Sequence, residues 1–598
     1  MTTNDLLIGM AGAGGDGVMS AGDALITAAA LGGYHGVMAK SFGPQIRGGE
    51  SSFRLRVAIA EVFTVGGTLD VAIALNWDDF LRFGAELPVG AETIVIYDSQ
   101  YPVGPEGVPL PGARPESTIA VPIAQIARDI TGTDKAKNNV VLGLMAGWFG
   151  FVPDGLLAGI RKKLGKKGAD VLEKNERAFA AGREYAAANP LAPARPLEKA
   201  PAPSAPKLLT DGNEMCGAAA IFAGCTFFSG YPITPSSEIM HYLGREIWKY
   251  GGTILQAEDE IAGIGAVVGA SFAGKKALTA TSGPGMSLKT EMLGLATIAE
   301  LPLVCVNVQR GGPSTGIPTK SEQSDLFQAV FSAHGDVVRP VLAATTVADI
   351  FAMTVEAFNI AEEYQTPVIL LSDGDLGQRK EIVDPIDTAS FRIIERRRAN
   401  ARELERYQRF AITESGISPI ADPGTRGGNY LASGIEHNEQ GAPTASGATH
   451  ARMNEKRIRK LNPLKMRRDL FDVYGDPSAA IGMVAWGSVA GIAREALRDA
   501  QKKGIRAKLL VPRLLYPVAQ QVFEDFFASV RAGFVVEQSH LGQLYRLIRM
   551  YVDVPRGVEP FARSGSNPFT PAEVSERLRD LAVAVQRAGR PELEPATD

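Results

Sequence analysis

The sequence predicts an α/β protein built from several domains. Apolar runs of strand length alternate with helix-length segments, a pattern typical of parallel sheets covered by helices. One proline-rich stretch divides the chain, and loops rich in Gly, Pro, Ser and Thr follow several of the strands. At 598 residues the chain is long enough for three or four domains, each with its own core.

The first domain opens with the apolar strand Leu6–Gly12, a glycine-rich turn and a helix. The stretch that ends it contains six prolines, a density that blocks helices and central strands and favours an extended linker. The strand–helix alternation then resumes, is interrupted, and returns near the C-terminus. The predicted segments are an α/β domain at 1–188, a linker at 189–207, an α/β domain at 208–385, a helical and loop-rich connection at 386–475 and an α/β domain at 476–590.

Composition excludes several functional classes. A net charge of −4 gives no strongly basic surface, so neither nucleic acid nor a membrane is expected as a main partner. No apolar run is long enough to span a bilayer and the N-terminus lacks a basic signal segment, so we expect a cytoplasmic protein. Three cysteines without a CxxC pair cannot bind an iron–sulfur cluster, and six scattered histidines predict no metal site.

The segment Gly12–Gly17 reads GAGGDG between a strand and a helix, which fits the dinucleotide-binding fingerprint. That fingerprint also requires an acidic residue at the end of the second strand, where this chain has Lys40. A tight turn, or a loop that approaches another phosphate ligand, explains the glycines better. A nicotinamide-binding redox protein remains the alternative from a different functional class.

A second glycine–aspartate motif is incomplete. Gly15–Gly17 reads GDG, the start of the motif that holds thiamine diphosphate through Mg²⁺, but an Asn must complete that motif well before position 50. No asparagine occurs between Asp16 and Asn76, and the Asn that follows Asp373–Asp375 lies in an unsuitable context. The sequence therefore predicts that this chain lacks the site for a metal-bound diphosphate.

The acidic residues Glu258, Asp259 and Glu260 stand where a short strand gives way to a helix of small residues. One acid at a helix N-terminus is explained by the helix dipole, but three are not. A buried carboxylate facing N1′ of an aminopyrimidine would favour its imino tautomer and so promote proton removal from a thiazolium. The small residues that follow would allow a flat ring to pack closely.

Two further loops carry polar groups at strand ends. Tyr231–Ser237 reads YPITPSS, which on its own could be a proline-stiffened turn with a helix cap. Arg310 directly follows an apolar strand and leads into GGPSTGIPT. A guanidinium at that position can bind a carboxylate through two hydrogen bonds, with Thr315 and Thr319 as nearby hydroxyl donors and Ser314 as a weaker candidate.

Together these three stretches resemble the thiamine-diphosphate-dependent 2-oxoacid:ferredoxin oxidoreductases. In that family the activating glutamate is followed by two Gly-Ala pairs at a fixed spacing. Glu260 with Gly265–Ala266 and Gly269–Ala270 matches this pattern, whereas Glu258 is out of register with it. The resemblance implies an N-terminal gamma-type domain, a pyrimidine-binding domain and a C-terminal domain similar to that of transketolases.

The resemblance also assigns roles within the loops. It implies that Pro232 and Ile233 contact thiamine diphosphate, that Thr234 donates a hydrogen bond to the 2-oxoacid, and that Arg310 binds the substrate carboxylate. The arginine of the family is followed by an aspartate at a fixed spacing, and Asp325 keeps that spacing from Arg310.

In the gamma-type domain, the segment Ser41–Val57 resembles a family loop through which Ser41 and Arg47 would reach the active site or the CoA entry. The other interpretation of this segment is a structured loop. Its role therefore stays open at this point.

The long segment Gly434–Pro443 and the RGGPSTGIPT loop resemble the 2-oxoglutarate branch, as an alpha subunit with a fused gamma domain. The implied enzyme oxidatively decarboxylates 2-oxoglutarate to succinyl-CoA, reversibly, with ferredoxin as the electron carrier and CoA as co-substrate. A beta subunit would supply Mg²⁺, the diphosphate site and a [4Fe-4S] cluster in an (αβ)₂ assembly. The alternatives are the same chemistry on pyruvate, branched-chain or aryl 2-oxoacids, and a non-catalytic scaffold subunit.

Overall fold

The computed structural model describes residues 2–42, 49–84, 86–104, 107–110, 114–203, 205–564 and 568–588. The chain divides into two compact units. The first comprises Met1–Asp211 with Gln378–Ile386, and the second comprises Gly212–Gly377 with Asp387–Asp598. Within the described residues, no helix is both long and apolar enough to cross a membrane.

In the described part of the first unit, eight strands form one mixed sheet in the order β6-β5-β4-β1-β3-β2-β14-β7. Strand β1 pairs in parallel with β4 and antiparallel with β3. The strands are β1 (Asp5–Gly12), β2 (His35–Phe42), β3 (Ser51–Ala58), β4 (Val71–Ala74), β5 (Ile94–Asp98), β6 (Ser117–Val121), β7 (Leu208–Asp211) and β14 (Lys380–Val383). The helices are α1 (Val18–Leu31), α2 (Trp77–Arg82), α3 (Ile123–Thr131), α4 (Lys137–Phe149), α5 (Pro153–Leu164) and α6 (Ala169–Ala188).

The boundary of the first unit differs from the one expected at residue 208. Strand β7 pairs antiparallel with β14, and β14 pairs antiparallel with β2, so both strands extend the N-terminal sheet. The proline-rich stretch packs against this unit, because Leu197 and Ala200 lie in its hydrophobic core. Main-chain hydrogen bonds from Thr3 to Pro196 and from Glu198 to Thr3 fix it in place.

In the second unit, the first of two described sheets has seven strands in the order β18-β12-β13-β11-β10-β8-β9. Strands β8 to β13 are parallel, whereas β18 pairs antiparallel with β12. The strands are β8 (Phe227–Gly230), β9 (Thr253–Gln256), β10 (Ala277–Thr281), β11 (Leu303–Gln309), β12 (Val341–Ala343), β13 (Pro367–Asp373) and β18 (Leu514–Tyr516). The helices are α7 (Gly212–Phe222), α8 (Ser237–Glu246), α9 (Glu260–Phe272), α10 (Gly283–Ile298), α11 (Leu326–Phe331), α12 (Val347–Tyr364) and α13 (Gly374–Gln378).

The connecting segment after residue 386 has little regular structure. The charged stretch that follows β14 was expected to be helical, but the helix there is only α14 (Ala401–Leu404). The reason is that its buried arginines bind main-chain carbonyls of the neighbouring domain, as Arg396 does with the carbonyl of Ser271 at 2.7 Å. Further along, α15 (Gly447–Arg459) and the residue after it place Lys456 and Lys460 on the buried carboxylate of Glu300.

The second sheet of this unit has five described strands in the order β15-β17-β16-β19-β20. Its core is formed by apolar residues of β16, β17 and β19 packed against α16 and α19. The strands are β15 (Phe471–Gly475), β16 (Ile481–Ala485), β17 (Lys508–Pro512), β19 (Ala532–Glu537) and β20 (Val558–Ala562). The helices are α16 (Gly487–Lys502), α17 (Gln520–Phe527), α18 (Gln543–Arg549) and α19 (Pro571–Ala588).

Candidate active site

The three consecutive acids have different environments. Glu258 and Asp259 are exposed, whereas Glu260, the first residue of α9, is 8% exposed. Asp259 is the N-cap, and its carboxylate accepts the amide of Ala262 at 2.7 Å. The helix terminus is therefore satisfied by Asp259, and Glu260 is available for another role.

The Glu260 side chain lies against the first turn of α10. At Gly285, an added Cβ would stand 2.8 Å from Cγ and 2.9 Å from Oε1 of Glu260, and 2.1 Å from Oγ1 of Thr281. One turn further along the same helix, the fully buried Lys289 donates from Nζ to the main-chain oxygen of Glu260 at 3.0 Å. Helix α10 therefore contacts both the side chain and the backbone of Glu260.

Lys289 is the buried cation next to this glutamate. Burial lowers the pKa of Lys289, and the nearby Cys305, Glu260 and Asp259 oppose that shift.

Helix α9 approaches the end of β8 very closely. An added Cβ at Gly263 would be 3.2 Å from the Cα of Gly230, and the amide of Ala257 donates to the oxygen of Gly230 at 3.0 Å. The sequence pattern pointed to Gly265 and Gly269, but the glycine in contact with the strand is Gly263. This contact joins the glutamate helix to the start of the YPITPSS loop.

The YPITPSS loop is fixed from both sides. Thr234–Pro235 is a cis peptide, and the oxygen of Pro235 accepts a hydrogen bond from Nδ2 of the buried Asn213 at 2.7 Å. Pro232 and Ile233 are half-buried, while Thr234 is exposed. Asn213, on α7, is a supporting residue that the sequence pattern did not identify.

Arg310 directly follows strand β11 at the start of the next loop, and its side chain is buried, with the residue 5% exposed. It donates from Nη1 to the oxygen of Thr234 at 2.6 Å and from Nη2 to the oxygen of Thr315 at 2.9 Å. Among the described residues, its Nε has no hydrogen-bond partner. Burial lowers the pKa of Arg310, and Asp325 opposes that shift. The structure thus brings together Arg310 and Thr234, which lie far apart in the sequence.

The remaining residues of this loop lie at its surface. Thr315 contacts Arg310 through its main-chain oxygen, and Thr319 is exposed. The loop is closed by the amide of Ile317, which donates to the oxygen of Gly311 at 2.8 Å, and by the amide of Gly311, which donates to the oxygen of Lys320 at 2.9 Å. Ser314 adopts a φ of 58°, in the left-handed region. The hydroxyls of Thr315 and Thr319 remain predicted ligand donors.

Asp325 is a buried carboxyl group whose charge interacts with Arg310. Its carboxylate accepts from Nδ2 of Asn307 at 3.0 Å, and its amide donates to Oε1 of Gln309 at 3.1 Å. Burial raises the pKa of Asp325 to about 6, with Glu322 adding to the shift and Asn307 and Arg310 opposing it. A titratable carboxyl therefore lies beside the arginine expected to bind the substrate.

In the first unit, Ser41 lies near the end of β2 and donates a hydrogen bond to the carboxylate of Glu86. Arg47 lies outside the described residues. In the GAGGDG loop, the carboxylate of Asp16 accepts the amide of Ala13 at 3.1 Å and pairs with Lys137 at 2.9 Å. A negative charge therefore occupies the loop in which a dinucleotide phosphate would need free amides. The antiparallel β3 beside β1 is also inconsistent with a dinucleotide-binding fold.

Family models match all three folded regions. The thiamine-diphosphate-binding model of pyruvate flavodoxin/ferredoxin oxidoreductases matches residues 218–456, the pyruvate ferredoxin/flavodoxin oxidoreductase model matches 8–185, and the model of core domain II of pyruvate:ferredoxin oxidoreductase matches 479–574.

Named relatives agree with the family models. The chain is 32% identical to 2-oxoglutarate oxidoreductase subunit KorA of Mycobacterium tuberculosis, over 96% of this chain and 93% of that one. It is 37% identical to 2-oxoglutarate synthase subunit KorA of Methanocaldococcus jannaschii, over 56% of this chain and 88% of that one.

A solved structure covers almost the whole chain. It is 2-oxoglutarate:ferredoxin oxidoreductase from Magnetococcus marinus with 2-oxoglutarate, coenzyme A and succinyl-CoA bound, which matches with a TM-score of 0.90 and 37% identity over 97% of this chain and 100% of that one. The fold is that of a thiamine-diphosphate-binding oxidoreductase. The chain belongs to the 2-oxoacid:ferredoxin oxidoreductase family, as an alpha subunit with a fused gamma-type domain. The predicted family and fold class are thereby confirmed.

Proposed function

We propose that this chain is the alpha subunit of a CoA-dependent 2-oxoglutarate:ferredoxin oxidoreductase. The reaction converts 2-oxoglutarate, CoA and two oxidised ferredoxins to succinyl-CoA, CO₂, two reduced ferredoxins and a proton, and it is reversible. The observation that carries this proposal is the buried carboxylate of Glu260, held by α10 in the same compact unit as the Arg310–Thr234 pair. No comparison supports the nicotinamide alternative.

Glu260 fits the aminopyrimidine of thiamine diphosphate. Its carboxylate is buried, its neighbour Gly285 has no side chain, and the adjoining YPITPSS loop presents the half-buried Pro232 and Ile233. Thiamine diphosphate, when bound, supplies the carbanion chemistry that allows a 2-oxoacid to lose CO₂. The role of Glu260 is to share a proton with N1′ of the pyrimidine, and its burial keeps that contact from being screened by water.

Arg310 and Thr234 would bind the substrate. The guanidinium already has two main-chain acceptors, which fix its plane, while its remaining N–H groups can meet a carboxylate. Thr234 is exposed and contacts the guanidinium through its main-chain oxygen, and its hydroxyl is proposed to donate to the 2-oxo group. Thr315 and Thr319 are proposed as further hydroxyl donors to the substrate, and a substrate-binding role of Ser41 stays a prediction.

The choice of 2-oxoglutarate rests on the relatives. Two curated relatives carry 2-oxoglutarate in their names, and the Magnetococcus enzyme has 2-oxoglutarate bound. Pyruvate, branched-chain or aryl 2-oxoacids would use the same Glu260 and Arg310, because only the side chain of the substrate differs.

The second half of the site would come from a beta subunit. The chain has no complete diphosphate motif, and apolar residues beside Glu260 are exposed, with Ile261 at 51% and Leu288 at 49%. An exposed apolar rim around a buried carboxylate is suited to a protein partner. We propose that this partner carries Mg²⁺, the diphosphate site and a [4Fe-4S] cluster, that it reduces ferredoxin, and that the assembly is (αβ)₂.

The test is anaerobic purification of the chain with its co-encoded partner, followed by viologen reduction with CoA and a panel of 2-oxoacids. Activity with 2-oxoglutarate, present in the complex and absent from either chain alone, is the expected result. Preference for another 2-oxoacid would change the substrate and keep the family chemistry. A complex with thiamine diphosphate and an intact cluster that oxidises none of these acids would overturn the proposal.

A further inference from the structure

The segment 321–327 follows the Arg310 loop and is held by the C-terminal domain. Gln543, the first residue of α18, accepts the amide of Phe327 at Oε1 at 2.8 Å and donates from Nε2 to the oxygen of Ser324 at 2.7 Å. Gln543 is 7% exposed. One amide side chain therefore binds the backbone on both sides of Asp325.

Gln323 makes a second attachment of the same segment. Its amide donates to the oxygen of Gln538 at 2.7 Å, and its side-chain Oε1 accepts the amide of Gln538 at 2.9 Å. Its Nε2 donates to the oxygen of Trp486 at 2.7 Å. Gln323 is fully buried, so each of these polar groups depends on its partner within the protein.

Asp325 connects this segment to the substrate arginine. Its amide is bound by Gln309, the residue directly before Arg310, and its carboxylate is bound by Asn307 on the same strand. The charge of Asp325 also interacts with Arg310. A displacement of the segment would therefore move the Asp325 charge and disturb the strand residues that directly precede Arg310.

We propose that Gln543 is a positioning residue for the substrate-carboxylate site, with Gln323 in support, so that the C-terminal domain sets the place of Arg310. This inference rests on the proposed role of Arg310. The C-terminal domain then has a part in substrate binding even though its residues act through segment 321–327.

The main variant is Gln543→Leu, which keeps the approximate size of the side chain and removes both hydrogen bonds. A change that weakens binding of the substrate and of the transition state equally raises KM with little change in kcat. We expect KM for 2-oxoglutarate to rise about tenfold, the effect of weakening one charged hydrogen bond between a displaced Arg310 and the substrate carboxylate, with kcat changed less than about twofold. KM for CoA and the affinity for thiamine diphosphate should stay unchanged.

Two further variants make the test specific. Gln521→Leu is the matched control, because Gln521 lies on α17 of the same domain, is exposed and bonds only to the nearby surface residue Asp525 among its described side-chain contacts. Gln543→Glu keeps the acceptor for Phe327 and restores the donor to Ser324 only when protonated. Its KM, relative to wild type at each pH, should therefore be closer to normal at pH 6 than at pH 8.

The outcomes separate the two proposals. A wild-type complex that oxidises no 2-oxoacid overturns the proposed function and this inference with it. An active wild type in which Gln543→Leu has the KM of Gln521→Leu overturns the inference alone. A parallel loss of kcat, CoA binding and thiamine diphosphate binding would show general destabilisation and also contradict a positioning role. If Gln543→Leu fails to fold, Gln543→Glu provides the test. A KM, relative to wild type, that is the same at pH 6 and at pH 8 overturns the inference.

Discussion

Replacing Gly285 by alanine places a methyl group against the Glu260 carboxylate. The new Cβ would lie 2.9 Å from Oε1 of Glu260 and 2.1 Å from Oγ1 of Thr281, whereas an ordinary contact begins near 3.4 Å. The carboxylate would have to move by roughly half an ångström and the Thr281 hydroxyl by more than one to restore van der Waals distances. Since misplacement by about 1 Å costs on the order of 10²-fold in rate, a shift of the Glu260 carboxylate by about half that distance should lower kcat/KM by roughly tenfold.

The assay is 2-oxoglutarate-dependent viologen reduction by the anaerobic complex, together with the affinity for thiamine diphosphate. Gly294→Ala is the matched control, because it lies on the same helix and an added Cβ there meets no described atom within 4 Å. That control should retain full activity and gain up to about 1 kcal/mol of helix stability. If Gly285→Ala is as active as Gly294→Ala, the packing argument for Glu260 is refuted.

Further changes test other parts of the site and the fold. Arg310→Lys should raise KM for the 2-oxoacid about tenfold or more in steady-state assays, because lysine cannot bind a carboxylate through a planar pair of N–H groups; an unchanged KM would contradict the carboxylate role. Asp325→Asn should flatten the pH dependence of thermal stability. Burial raises the pKa of Asp325 from 3.8 to about 6, so the folded state binds this proton more tightly than the unfolded state does. The stability of the wild type therefore falls as pH rises from about 4 to 6, and the variant lacks this decrease. A Tm profile equal to that of wild type would contradict this sign. Glu300→Gln should destabilise the second unit by about 3–5 kcal/mol in denaturant unfolding, because Lys456 and Lys460 lose their buried counter-charge; a loss below about 1 kcal/mol would contradict it.

Local pattern was sufficient to predict the α/β class, because strand–helix alternation is a local property of sequence. The resemblance to the family's spacing of glutamate and Gly-Ala pairs singled out Glu260, which is the buried one of the three acids. Its burial, with Glu258 and Asp259 exposed, follows from the helix turn that places it inward. The hydroxyl and carboxylate roles of the loop residues remain predictions.

Non-local pairing could not be predicted from the sequence. Strands β7 and β14 are separated in the chain by strands β8 to β13, yet they pair with each other in the N-terminal sheet. Strand β18 lies in the chain between β17 and β19 of the five-stranded sheet, yet it pairs with β12 of the seven-stranded sheet. The proximity of Gly285 to Glu260, and of Gln543 to Phe327, likewise depends on tertiary packing. No local periodicity encodes such contacts, which explains why the supporting residues were missed.

Glu260 is proposed to activate thiamine diphosphate in a complex with the partner subunit. The most direct test is the rate of hydrogen–deuterium exchange at C2 of the bound cofactor, measured in the wild-type complex and in Glu260→Gln under equal cofactor occupancy. We expect exchange in the variant to be slower by about 10²-fold or more, the usual contribution of a positioned acid–base group. Equal exchange rates in the two complexes would contradict it.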